Sequence, residues 1–216
     1  IERVLARDPV YRRSTALVTF IENHDMPRFL SICSSHGDLE LATVLLLTLR
    51  GIPCLFYGTE QYLVNDTDGG NDPYNRPMME SWETGSRLSE IIRRLALLRK
   101  TNRALAYGRH GQKYISETIY AYTRRYRDNR VFVAVNKGDS ASCTIDHTGL
   151  PEGTHTCLLS GNSFLVAEGS IQNLAIPAKG AVVLAVQGEP LKATTVVKFQ
   201  INDYVTHPGE VMAVCG

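Results

Sequence analysis

The 216-residue sequence predicts two folds in series, α/β and then all-β, and three observations carry that reading. An apolar run, Ala16-Leu17-Val18-Thr19-Phe20-Ile21, breaks abruptly into Glu22-Asn23-His24-Asp25. A second, Ile52-Pro53-Cys54-Leu55-Phe56-Tyr57, ends in Gly58-Thr59-Glu60-Gln61, with an apolar helical stretch between the two. After Asn102 the runs turn short and alternating. Strand, helix, strand with polar residues at both carboxyl ends is how a parallel α/β barrel or a doubly wound sheet presents chemistry. Short strands separated by turn clusters form an antiparallel sandwich.

In chain order, residues 1–7 read as the tail of a helix, followed by a buried strand over 16–21. The helix 38–50 has Asp38 at its start and Gly51 at its stop, as helix termini prefer. A strand over 53–57 and a polar loop over 62–79 come next. The helix 86–100 carries Leu88, Ile91, Ile92, Leu95 and Leu98 on one face, leaving Arg93, Arg94 and Lys100 for solvent. Strands follow over 119–124, 131–136, 143–145, 156–159 and 181–186, with turns such as Arg127-Asp128-Asn129-Arg130 between them. The domains are therefore 1–106 (α/β), 107–187 (all-β), a linker over 188–194, and the start of a second β module over 195–216.

A net charge of +1 gives no electrostatic case for nucleic acid or an anionic membrane. No apolar stretch reaches the roughly 18 to 20 residues that span a bilayer. None of the five cysteines forms a close metal-finger pair. Cys33 and Cys54 adjoin apolar segments and read as buried thiols. Cys143 and Cys157 flank an expected hairpin, and sequence leaves open whether they bond. Trp82 and most tyrosines read as core or interface residues. A complete eight-fold barrel takes about 250 residues. With two barrel-type strands legible, the sequence reads as part of a longer protein whose targeting signal lies elsewhere.

Four polar side chains at a strand end point to a site, because a core would leave them unsatisfied. Asp25 could act on a substrate, cap the next segment or pair with Arg28. His24 could be a ligand, a base or a hydrogen-bonding partner, since neutral imidazole donates from one nitrogen and accepts at the other. Glu22 and Asn23 point to opposite sides by alternation and read as supporting residues. Asp72 and Arg76, four apart around Pro73, suggest a turn that brings the two together, most simply as a surface ion pair. No cluster here has metal-ligand spacing.

Residues 20–29, FIENHDMPRF, resemble the fourth conserved segment of the α-amylase family, glycoside hydrolase family 13. Residues 51–62, the run Gly70-Asn71-Asp72-Pro73-Tyr74-Asn75-Arg76, and Leu98-Arg99-Lys100-Thr101-Asn102 are similar to its cyclodextrin glucanotransferase and related amylase members. The resemblance implies the C-terminal part of a (β/α)8 barrel, an antiparallel β-sandwich, and over 195–216 the opening of a starch-binding module. It implies a retaining hydrolase of α-1,4-glucosidic bonds in starch. Asp25 becomes the transition-state stabiliser, and His24, Asp72 and Arg76 become substrate contacts. The partner would be an α-glucan, the location extracellular, and calcium would be bound by ligands outside this chain. The family's nucleophilic Asp and acid/base Glu fall upstream of Ile1, so these residues alone are expected to be inactive. The absent immunoglobulin-like spacer favours an amylase over a glucanotransferase. An inactive carbohydrate-binding homologue is the alternative of another class.

Overall fold

The computed structural model describes residues 1–33, 35–83 and 85–188. The expected linker over 188–194 (Gly188 apart) and the second β module over 195–216 lie outside the described residues. Helix α1 (Glu2–Leu5) and two 3-10 turns lead to β1 (Val18–Thr19), and α2 (Phe29–Cys33) and α3 (His36–Thr48) follow. Ser35 caps α3, its hydroxyl accepting from the Asp38 N–H at 3.3 Å. Three residues past its end, Gly51 sits at φ +107°, where a Cβ would come within 2.8 Å of the Leu17 carbonyl oxygen. Only glycine lets the chain turn there straight into β2 (Ile52–Pro53). The two strands run parallel, with Val18 opposite Ile52.

Both strands are shorter and more open than the sequence predicts. Val18 is 59% exposed and Phe20 48%. Cys33 and Cys54, expected to be buried, are exposed. The cause is the width of the sheet. Two strands leave both edges bare among the described residues, so side chains that alternate off them meet no covering layer. Trp82 departs in the same way, at 80% exposure on a loop without regular structure.

Helix α4 (Arg87–Thr101) buries Leu88, Ile91 and Leu95, and its first turn is capped by Ser86, which accepts from the Ser89 N–H at 2.9 Å. The short α5 (Arg103–Tyr107) leads into β3 (Arg109–Ile115), β4 (Ile119–Tyr126), β5 (Asn129–Asn136), β6 (Ala141–Ile145), β7 (Gly153–Thr156), β8 (Ser163–Val166), β9 (Ile171–Ile176) and β10 (Gly180–Val186). Four strands form an antiparallel sheet in the order β10-β5-β4-β3, while β6 pairs with β9 and β7 with β8.

That sheet is buried on both faces. Tyr120, Tyr122, Val131 and Val133 pack against Leu41, Val44 and Leu47 of α3 and Ile91 and Leu95 of α4. The alternate residues Ile119, Ala121, Phe132 and Ala134 pack against Ile145, Val166, Ile171 and Leu174 from the small hairpins. Period-two alternation thus splits one sheet between two cores. Burying each Leu or Val contributes roughly 1.5 to 3 kcal/mol, which fixes the α/β part on the sheet. The Thr48 and Tyr122 hydroxyls meet at 2.6 Å inside this layer.

The strand expected over 156–159 lies instead at 153–156, because Cys157 already opens a tight turn, its N–H bonded to the Asn162 carbonyl at 2.7 Å. Strands β3, β8 and β9 are additions to the sequence reading. Cys143 and Cys157 are both free thiols. Cys143 lies in β6 opposite Leu174, while Cys157 follows the end of β7 and lies beside Val183, so no hairpin sets them face to face. No helix among the described residues is long and apolar enough to cross a membrane.

Candidate active site

The chain leaving β1 places Glu22, Asn23, His24 and Asp25 one after another, and they part as alternation requires. Glu22 turns inward and is 3% exposed. One of its oxygens accepts from Arg28 Nη1 at 3.2 Å and the Thr59 hydroxyl at 2.5 Å, and the other from the Phe29 N–H at 2.7 Å. Glu22 is therefore a structural anchor, turned away from any ligand. Asn23 accepts the Asp25 N–H on its side-chain oxygen at 2.9 Å, a local turn that fixes the direction of Asp25.

His24 and Asp25 present themselves to solvent, with side chains 64% and 74% exposed and His24 Nε2 3.3 Å from Asp25 Oδ1. An acceptor and a tautomeric donor side by side suit a polyol, whose hydroxyls both donate and accept. Asp72 and Arg76 form an ion pair on the loop after β2 and are also exposed. The ion pair expected from that spacing is formed. A guanidinium so held keeps further N–H donors for a ligand.

Two residues knit these loops together. Asn75, between Asp72 and Arg76 in sequence and 1% exposed, donates from Nδ2 to the His24 carbonyl at 2.7 Å. Arg28, with no exposed surface, reaches across all three segments. Its Nε donates to the Asn75 carbonyl at 3.1 Å and its Nη1 to the Tyr57 carbonyl at 2.8 Å. Its guanidinium also lies 4.2 Å from the Phe56 ring centre and 4.6 Å from that of Tyr57. Sequence considered Arg28 only as a partner for Asp25, yet its partner is Glu22. The Asn75 role left no sequence signal beyond its place between two candidate ligands.

Among the described residues no group of three or more His, Cys, Asp or Glu could hold a metal ion. The residues present therefore do not fit a calcium cage, and no chemistry is routed through one. Trp82 and Met78 lie exposed on the loop beyond Arg76.

The sequence of residues 7–95 matches the alpha amylase catalytic domain, and residues 99–187 match the alpha amylase C-terminal all-beta domain. A cyclomaltodextrin glucanotransferase of Thermoanaerobacterium thermosulfurigenes is 43% identical over 169 residues, 75% of this chain and 23% of that protein. An alpha-amylase of Niallia circulans is 41% identical over 170 residues, 76% of this chain and 31% of that protein. The chain thus spans less than a third of the length of these relatives. Among solved structures, a cyclomaltodextrin glucanotransferase with a three-domain ABC distribution superposes with TM-score 0.82 at 38% identity, covering 87% of this chain and 40% of that one.

Proposed function

The chain belongs to the α-amylase family, with part of the catalytic domain followed by the all-β C-terminal domain, and from that premise we propose that it forms part of a retaining enzyme that cleaves α-1,4-glucosidic bonds of starch. The observation that carries the proposal is the exposed His24–Asp25 pair at the end of β1, held from beneath by Asn75 and Arg28. Cleavage with retention passes through an oxocarbenium-like transition state and needs two further carboxyl groups about 5 to 5.5 Å apart. Asp25 adds a fixed negative charge beside the ring, where it offsets the positive charge that builds there. His24 donates to a hydroxyl of the same sugar. Asp72 and Arg76 receive a glucose unit further toward the non-reducing end.

Glucanotransfer is the second reading, favoured by the similarity to glucanotransferases in sequence and in structure. Here a sugar hydroxyl replaces water as acceptor. Lack of a spacer domain does not favour the hydrolase, since a glucanotransferase with a three-domain ABC distribution is among the similar structures. Calcium dependence, secretion and a starch-binding role for residues 195–216 belong to the same proposal and rest on family membership alone. The test is to incubate the intact protein with soluble starch and separate the products by chromatography. Linear oligosaccharides support hydrolysis and cyclic ones transfer. Unchanged starch refutes both.

A further inference from the structure

Arg124, on the central strand β4, is an arginine with no exposed surface. A guanidinium carries five N–H donors. Here Nη2 donates to the Gly108 carbonyl at 2.7 Å, while Nε and Nη1 meet no acceptor. Burial without a counter-charge is costly for such a group, and it draws the guanidinium pKa down to about 10. Arg124 lines a cavity of about 520 Å³ where the turns of residues 8–16 face the start of β3. The two carboxylates that share this cavity are already engaged. Asp8 holds Arg50, whose Nε lies 2.7 and 2.9 Å from its two oxygens. Glu2 is met by the Tyr120 hydroxyl and by His110 Nε2, the latter at 3.0 Å.

The remaining lining donates. Arg109, Ser14 and Thr15 border the cavity, while His110 donates from Nε2 to Glu2 and leaves its buried Nδ1 as an unpartnered acceptor outside the anion's ligand set. Arg50, Arg109 and Arg124 line the cavity with Glu2 and Asp8, and because Asp8 is held by Arg50 and Glu2 by Tyr120 and His110, Arg109 and Arg124 are left as an excess of positive charge and of N–H donors. We propose that this seam binds a small tetrahedral oxyanion of the phosphate or sulfate type, with Arg124 as its principal ligand and Arg109, Ser14 and Thr15 at its rim. Four oxygens accept from several directions at once, which suits donors arriving from separate segments better than the two oxygens of a carboxylate. A buried polar group without a partner calls for an unseen ion or water, and the charge excess selects the anion. The site is independent of the sugar chemistry proposed above.

Calorimetric titration of the intact protein with inorganic phosphate, sulfate and acetate, at constant ionic strength, tests it. The expected result is saturable binding of phosphate or sulfate at one site, with acetate at least about tenfold weaker. Arg124→Met should weaken phosphate by about tenfold or more. Absence of saturable phosphate and sulfate binding, or equal affinity in Arg124→Met, overturns the proposal. Acetate binding as tightly as phosphate overturns the tetrahedral assignment. If Arg124→Met fails to fold, the rim variants Arg109→Gln and Thr15→Val decide, since they spare the buried group. Severalfold weaker phosphate binding in them supports the site, and unchanged affinity in both refutes it.

Discussion

Arg28 and Glu22 form an ion pair, Nη1 to Oε1 at 3.2 Å, with both side chains essentially removed from solvent. Glu22 closes the end of β1, and Arg28 holds the carbonyls of Tyr57 and Asn75. One buried pair therefore sets the relative position of the two loops that carry His24, Asp25, Asp72 and Arg76. Buried pairs of this kind add little net stability over an apolar substitute, but losing one partner strands the other charge.

Glu22→Gln should accordingly destabilise the protein by about 3 kcal/mol, seen as a drop of several degrees in the thermal midpoint. The amide keeps a single acceptor oxygen, for the Phe29 N–H or the Thr59 hydroxyl and not both, so the change removes the charge together with one of these bonds. A midpoint within one degree of the parent would show that the pair is not what organises these loops.

Asp25→Asn in the intact protein should lower starch turnover at least about a thousandfold while leaving the thermal midpoint unchanged, because Asp25 is exposed and bonds only locally. Turnover within about tenfold of the parent, some 1.4 kcal/mol of barrier, is incompatible with transition-state stabilisation by this carboxylate.

Arg76→Ala should raise KM for long maltooligosaccharides about fivefold, the worth of one hydrogen bond near 1 kcal/mol, and change kcat less. Its pair with Asp72 is exposed, so stability should move by under about 1 kcal/mol. Steady-state kinetics on maltooligosaccharides of graded length would check this. A loss confined to kcat argues against a binding role.

Acid should loosen the seam between α1 and the β-sheet. Burial lowers the His110 pKa from its usual 6.5, outweighing the pull of Glu2 in the other direction, with Arg124 lowering it further and Asp8 raising it. The folded protein then binds fewer protons than the unfolded chain just below pH 6.5, so stability rises with pH there and falls as pH drops through that value. Burial raises the Glu2 pKa, but hydrogen bonds from Tyr120 and His110 outweigh it and leave it lowered from 4.5. Its contribution is present above that pH and lost below it. Thermal midpoints measured from about pH 7 to 5 should decline in the parent and flatten in His110→Gln. The same slope in both would exclude His110 as the cause.

The elements that carry most of the core were legible in the sequence. Helix α4 reads directly from Leu88, Ile91, Leu95 and Leu98, and β4 and β5 from their alternation and the Arg127–Asp128 turn. Strand β3 was not legible, because Arg109, His110, Gln112 and Lys113 carry little apolar pattern and a bulge shifts its register. Predicted burial failed at Val18, Phe20, Cys33 and Cys54, since an apolar run says that a residue wants cover and cannot say that cover is present. At the site, His24 and Asp25, proposed above to meet the sugar, stood out as polar groups closing an apolar run. Arg28 and Asn75 did not, because apart from the nearby Glu22 their partners are backbone carbonyls 29 to 51 positions away in sequence.

The bond from Asn75 to the His24 carbonyl has a consequence for engineering. Transplanting the segment around residues 69–79 from a relative, in the hope of retuning chain-length preference, would also move the imidazole unless an amide is kept at that position. The loop of Asp72 and Arg76 and the loop of His24 and Asp25 are mechanically one part, and the sugar contacts proposed for them must be redesigned together.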